Sequence, residues 1–341
     1  MADTFNYRID HHGSLVRPAG LATEDPGAVD AAVREAVVLQ RRLRSTVVTD
    51  GDFPHEDFRG AVLDTVPGFR RTGETGPDGL VRWVAETLPK TNGPLLPDYG
   101  TRLAALTVIA PKATLPSPAY LAATTFEAGH GPSSARELGE ALAEIVRAEI
   151  ARLVSQGVRL IQLDNPLLLD HVAAGEPATA AAATAATTLS FEDALAVDAA
   201  AVRPAERPEG VRIGVSPGWA APAAVDRARA ERLFTAVPAD RWVLPLDRGT
   251  EAELDLVRAL PEDRDVCLGV VDATVPQLED IDTVMNRIDA VGEFKDIEDA
   301  AVSPSRGFAD VASQPLLSAE DQRKKLVLVE TIARYCWGNE F

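Results

Sequence analysis

Apolar runs of at most eight residues alternate with amphipathic helical patterns along the chain. Strands are predicted at 7–14 (YRIDHHGS), 45–52 (STVVTDGD), 119–126 (AYLAATTF) and 158–165 (VRLIQLDN). Four more are predicted at 211–216 (VRIGVS), 241–247 (RWVLPLD), 265–272 (DVCLGVVD) and 299–305 (DAAVSPS). Most finish on a polar or glycine-containing turn, as parallel strands buried on both faces do. Helices are predicted between them. Residues 133–157 open with a capping box from Ser134 to Glu137, carry Leu138, Leu142, Ile145 and Leu153 at helical spacing, and stop at Gly157. Residues 25–45 and 318–338 follow the same pattern. Eight strands with intervening helices predict a (β/α)8 TIM barrel over 1–341 as a single domain, with a doubly wound open sheet as the alternative.

Two stretches depart from the alternation. Residues 76–118 hold two extended apolar segments, GLVRWVAETLPK and RLAALTVIAPKATLP, around TNGPLLPDYG. They read as a hairpin-like insertion after the second barrel strand. The Ala/Thr run at 177–190 is low in complexity and compatible with helix or loop.

With 341 residues, 46% of them hydrophobic, the chain can bury one large core. A net charge of −18 leaves no positive surface to displace counterions from phosphates, which argues against nucleic acid and against an anionic membrane. The expected partner is a small-molecule substrate, and the oligomeric state is open. Cys267 and Cys336 form neither a disulfide framework nor a CxxC pair, and Cys267, inside VCLGVV, reads as a buried structural thiol. The start MADTFNYRID lacks the basic and apolar regions of a signal peptide, so a cytoplasmic location is expected.

Parallel barrels keep their chemistry at the C-terminal ends of the strands. Here those ends carry His11, His12, Ser14, Asp52, His55, Glu127, His130, Asp164, Asn165, Ser216, Asp247, Arg248, Asp272, Ser305 and Arg306. Such a set suits a polar small molecule, for example an amino acid held by its ammonium and carboxylate.

Several of these ends carry motifs. HHGSLVRP (11–18) resembles the opening GSxxRP of the catalytic domains of cobalamin-independent methionine synthases and their stand-alone relatives. VVTDGD resembles their second-strand HGE/DGE, and GVRLIQLDNPLL (157–168) resembles GxxxIQIDEPAL, the most specific of the matches. VRIGVSPGW stands where the family has HxCYSxF, AAVSPSRGF where it has NPDCGL, and GVVDATVPQLEDIDTVMNRID resembles the lead-in to its eighth helix. The order agrees, and the resemblance covers nearly the whole chain.

The resemblance implies a barrel and a zinc ion that binds and deprotonates a thiol such as homocysteine, which then attacks a methyl group on a folate or another alkyl donor. The family's zinc ligands are a His and a Cys two residues apart, a Glu on the next strand, and the Cys of the PDCG turn. The matching positions here are Arg212, Gly214, Asp247 at best, and Arg306. A guanidinium cannot ligate a metal, so the zinc is not expected. The amino-acid pocket is expected to remain: Ser14 through its backbone, with Asp52 and Asp164. Asn165 replaces the Glu of the DEP motif and marks a changed specificity.

The candidate catalytic residues are therefore His12, His55 and Asp164, a histidine beside a carboxylate being a ready general acid or base. The candidate substrate-binding residues are Ser14, Asp52, Asn165, Arg212 and Arg306. Arg212 and Arg306 either grip a substrate carboxylate or phosphate, or pair with Asp247 or Asp272. A relocated metal on His11, His12, His55 and His130, with Asp52 or Asp164, is an alternative, although adjacent histidines on a strand point to opposite faces. The expected function is a methionine-synthase-like enzyme acting on a small amino-acid-like or thiol substrate, nominally by methyl or alkyl transfer. The alternatives are a metal-free lyase of the uroporphyrinogen-decarboxylase type and a non-catalytic small-molecule-binding protein.

Overall fold

The computed structural model describes residues 7–76, 79–90, 93–175, 180–203 and 207–338. Among the described residues, nine strands run in the order β1 (Val47–Val48), β2 (Phe69–Thr75), β3 (Val81–Ala85), β4 (Ala110–Pro116), β5 (Leu160–Asp164), β6 (Arg212–Ser216), β7 (Arg241–Pro245), β8 (Asp265–Val271) and β9 (Ala300–Pro304). All but β2 and β3 form one parallel sheet in the order β1-β4-β5-β6-β7-β8-β9. The segment around Ile9 joins its two edges. Asp10 N donates to Val302 O (3.0 Å) and Val302 N to Arg8 O (2.9 Å), while Thr46 N donates to Ile9 O (3.1 Å). Seven strands and this short bridge give the curled sheet of a TIM barrel.

The helices before β4 are α1 (Pro26–Arg42), α2 (Gly60–Leu63) and α3 (Tyr99–Ala104). Between β4 and β6 come α4 (Pro118–Thr125), α5 (Ala135–Ser155), α6 (Leu168–His171), α7 (Ala180–Thr188) and α8 (Phe191–Val202). The remainder are α9 (Arg227–Ala236), α10 (Glu251–Arg258), α11 (Ile281–Gly292) and α12 (Ala319–Trp337). In α1, Asp25 caps Gly27 N, Pro26 opens the first turn, and Val29, Val33, Ala36, Val37 and Gln40 face inward. The Gln40 amide then bonds Thr49 in both directions at 2.9 Å, which fixes the end of β1 to that helix.

The structure corrects the reading of 76–118 and 119–126. The third barrel strand is β4, inside the stretch assigned to the insertion, and 119–126 is helix α4 with its cap residue. Ser117 accepts a hydrogen bond from Tyr120 N and Pro118 stands at the first helical position, so local capping overrides the β-branched and aromatic content of AYLAATTF. The antiparallel hairpin does follow β1, but it is built from β2 and β3, with Phe69 opposite Ala85. Residues 180–188 of the Ala/Thr run form helix α7; residues 177–179 lie outside the described residues. Ser134 caps Glu137 N, but the Glu137 carboxylate accepts from Ser133 N (2.7 Å) in place of closing the box on Ser134.

Ser117 also donates to the buried Asp198 (2.7 Å) and accepts from Asn165 Nδ2 (3.1 Å), while Asp198 accepts from Ala119 N (3.0 Å). Ser117→Ala removes a helix cap and leaves a buried carboxylate short of a donor. It is expected to cost roughly 2–4 kcal/mol, read by chemical denaturation; a loss near zero would show that this network carries no load.

Candidate active site

Period-two alternation places Leu160, Gln162 and Asp164 of β5 on the inner face of the barrel, with Lys112 of β4 beside them. Lys112 is fully buried and spends its three protons on Asp10 Oδ1 (2.7 Å), His11 O (2.6 Å) and Gln162 Oε1 (2.7 Å). Gln162 Nε2 then donates to Asp164 Oδ1 (2.7 Å). Asp164 thus stands at the top of a charged, hydrogen-bonded column. Burial pushes its carboxyl up to about 7, against the Gln162 bond and the Lys112 charge.

Asp52 reaches the same region from the turn after β1. Gly51 (φ 74°) and Asp52 (φ 58°) are both left-handed, and Asp50 Oδ1 accepts from Asp52 N (3.0 Å). A Cβ on Gly51 would come within 2.9 Å of the Phe53 ring, so only glycine fits there. Aspartate tolerates the left-handed region better than most residues, and strained backbone of this kind gathers at functional sites. Burial, then the charges of Asp50 and Asp164, push the Asp52 carboxyl up to about 7, with His55 and Lys112 opposing. Its Oδ2 is buried without a hydrogen-bond partner.

His12 Nε2 lies 3.0 Å from Ser216 Oγ, and its Nδ1 is buried and unpartnered. Burial, reinforced by Lys112 and Arg306, lowers its pKa to about 3. His12 is therefore neutral and a poor base; protonation poised near neutrality belongs to Asp52 and Asp164. Arg306 is ion-paired with Asp310 and lies over the Trp219 ring (4.1 Å to its centroid), with its Nε buried and unpartnered. Trp219 meets Phe58 edge-on at 5.9 Å. Neither aromatic was picked out from the sequence; the single tryptophan just past a strand end, in SPGW, was the available signal. Ser14 packs its backbone against Gly307, where a Cβ would come within 2.7 Å of Ser14 N, and its Oγ accepts from Ala309 N (3.3 Å).

Of the remaining residues, His55 stays beside Asp52, its N donating to Asp52 O (3.1 Å) and its side chain lining a small cavity with Ser14 and Asp52; the others lie elsewhere. Arg212 opens β6 at the end opposite Ser216 and bonds Asp265 (3.3 Å), so it does not reach the mouth; the strand's direction decides this. Gly214 lies mid-strand against Arg241. Asn165 turns away into the Ser117–Asp198 network, Nδ2 donating to Asp198 Oδ2 (3.0 Å), and serves the scaffold. His11 points back to Ser45 Oγ (2.7 Å). His55 Nδ1 lies 3.7 Å from Asp64, and although burial lowers its pKa, Asp64, Asp50 and Asp52 outweigh that and raise it. His130 is exposed beside Glu127. The four histidines thus face four different environments, which separates the members of the relocated metal site. Asp247 is pushed up to about 7, first by burial and then by Glu253. Arg248 N is bonded to Glu253 (3.2 Å), and Asp272 caps its own turn at Thr274 (2.7 Å).

The zinc implied by the fold can be tested against these donors. Cys267 is fully buried in β8 and its thiol is pushed up to about 12; Cys336 lies on α12. Among the described residues no three His, Cys, Asp or Glu side chains come together as a metal-holding group. With Ser216, Ser305 and Arg306 at the strand ends, the residues do not fit the ion. No helix among the described residues is long and apolar enough to cross a membrane.

This is the architecture of a TIM barrel with a polar, acid-lined mouth. A B12-independent methionine synthase from Shewanella sp. W3-18-1, solved in complex with selenomethionine, superposes with a TM-score of 0.75 over 96% of this chain and 97% of that one, at 16% identity. In fold, then, the chain is methionine-synthase-like. In sequence it is similar to YxjH (26% identity, 97% of this chain, 95% of the relative) and YxjG (25%, 97% and 95%) of Bacillus subtilis, both uncharacterized. No protein-family model matches it.

Proposed function

We propose that this chain is a methionine-synthase-like enzyme that takes a small α-amino acid carrying sulfur. The substrate ammonium is held between Asp52 and Asp164, and the chemistry proceeds without zinc. One observation carries the reading. Two buried carboxylates are raised to about 7, and no cationic side chain among the described residues donates a hydrogen bond to either. Lys112, a buried cation whose charge acts on both, has all three protons committed elsewhere. Buried carboxylates in this state are completed by a cation from outside. Methyl or alkyl transfer is the reaction class that the fold likeness supports. The amino-acid pocket rests on the fit of the two aspartates to an ammonium.

The test is calorimetric titration with L-homocysteine and L-methionine against their deaminated analogues. Loss of the amino group is expected to weaken binding by about 30-fold or more, the effect of stranding a buried charge. A second reading has its own support in the buried, unpartnered Nε of Arg306 above Trp219, which suits a substrate carboxylate as in a metal-free lyase. Deaminated analogues that bind as tightly as the amino acids would discard the ammonium cradle and favour that reading.

A further inference from the structure

Lys112 stands at the base of the column described above, and its chemistry has a directional consequence. An ammonium only donates hydrogen bonds. Gln162 must therefore turn its Oε1 toward Lys112 (2.7 Å), and its Nε2 must face Asp164 Oδ1 (2.7 Å). The amide has no freedom to flip. We infer that Lys112 is a positioning residue that acts through Gln162: it makes Asp164 Oδ1 a permanent acceptor and leaves Oδ2 as the oxygen that exchanges a proton or meets the substrate. Asp164 Oδ2 has no hydrogen-bond partner among the described residues. The relay also opposes the burial that favours the protonated acid, since a donated hydrogen bond stabilises the carboxylate. The charged groups facing Asp164 are Lys112 from β4, Asp10 from the closing segment, Asp310 beyond β9 with its partner Arg306, and Asp52 after β1.

The importance of Asp164 to substrate rests on the proposed function, but the relay is testable without any ligand. In protein labelled at the aspartate carboxyl carbons, the Asp164 resonance is followed by 13C NMR against pH. It is assigned by its loss in Asp164→Asn. Gln162→Leu removes the donor. Lys112→Met combined with Asp10→Asn removes both charges of the buried pair and frees the amide to turn, without stranding either ion. Both variants are expected to move the Asp164 midpoint upward by about one pH unit or more, a tenfold change in proton affinity, while Asp247 stays in place. A merely structural role would lower stability and leave the midpoint alone. If the double variant does not fold, the Gln162 side-chain 15N signal of the native protein decides: slow exchange, with a shift that follows the Asp164 midpoint, supports the relay. An Asp164 midpoint within about 0.3 of native in a folded Gln162→Leu, or a Gln162 amide indifferent to Asp164, overturns it. Failure of amine binding with the relay intact would discard the proposed function and not this inference.

Discussion

Asp164→Asn is expected to abolish amino-acid binding at usable concentrations while leaving the fold intact. The substitution is isosteric and keeps an acceptor for Gln162 Nε2, which donates at 2.7 Å to Oδ1. It removes the charge that faces the ammonium and leaves Asp52, whose Oδ2 is already unpartnered, to hold it alone. Truncating one partner of a desolvated charge pair costs roughly 2–5 kcal/mol, which is about 30-fold to several-thousand-fold in affinity. Calorimetry with L-homocysteine and L-methionine measures it directly, and thermal denaturation without ligand checks the fold. At Asp164 burial outweighs the Gln162 hydrogen bond and the Lys112 charge, so the ligand-free variant should melt no lower than the native protein. Unchanged affinity would remove Asp164, and with it the reading of the mouth as an amino-acid pocket.

The barrel was legible in the chain because five of its strands, β5 to β9, are short apolar runs bounded by turn residues, and their C-terminal ends could be read directly. The third strand was missed for a physical reason. APKATLP contains two prolines and a lysine, each unusual in a central strand, and the lysine is the buried cation of the column. A lone Lys or Gln inside an apolar run, as in LIQLDN, is the signal that could have exposed the relay, since such groups enter a core only with partners. Arg212 was misplaced because motif matching ignored strand polarity: the first residue of a parallel strand lies at the far end from the last. His12, read as a general acid or base, lies against Ser216 at a strand end, whereas its lack of basicity depends on burial that no spacing reveals. Asn165 had an equally local cause, since its partner Asp198 is distant in sequence.

Stability without ligand is expected to fall as pH rises from about 5 to 7, the reverse of ordinary acid denaturation. The carboxyls of Asp52, Asp164 and Asp247 titrate near 7 when folded, against 3.8 as the ordinary value. Across that window the folded state keeps protons that the unfolded chain has released, so each carboxyl contributes stability present at low pH and lost on approaching 7. His11 and His12 act in the opposite sense. Their pKa values fall from 6.5 to about 4 and about 3, so the unfolded chain takes up protons that the folded one refuses, and below 6.5 they make stability rise with pH. Three carboxyls against these two histidines leave the folded state holding about one extra proton, a decline on the order of 1.4 kcal/mol per pH unit, which the lowered His171 opposes and the raised His55 reinforces. Burial raises Asp50, Asp198 and Asp310 as well, which adds to the same side. Above 6.5 the histidines drop out and the carboxyls act alone. In Asp52→Asn, whose side chain also accepts the left-handed backbone, the slope should become less negative by about 1.4 kcal/mol per pH unit. Urea denaturation at several pH values between 5 and 8 supplies both slopes. A native stability that climbs with pH through this range would mean that the folded protein does not hold the extra protons on Asp52, Asp164 and Asp247.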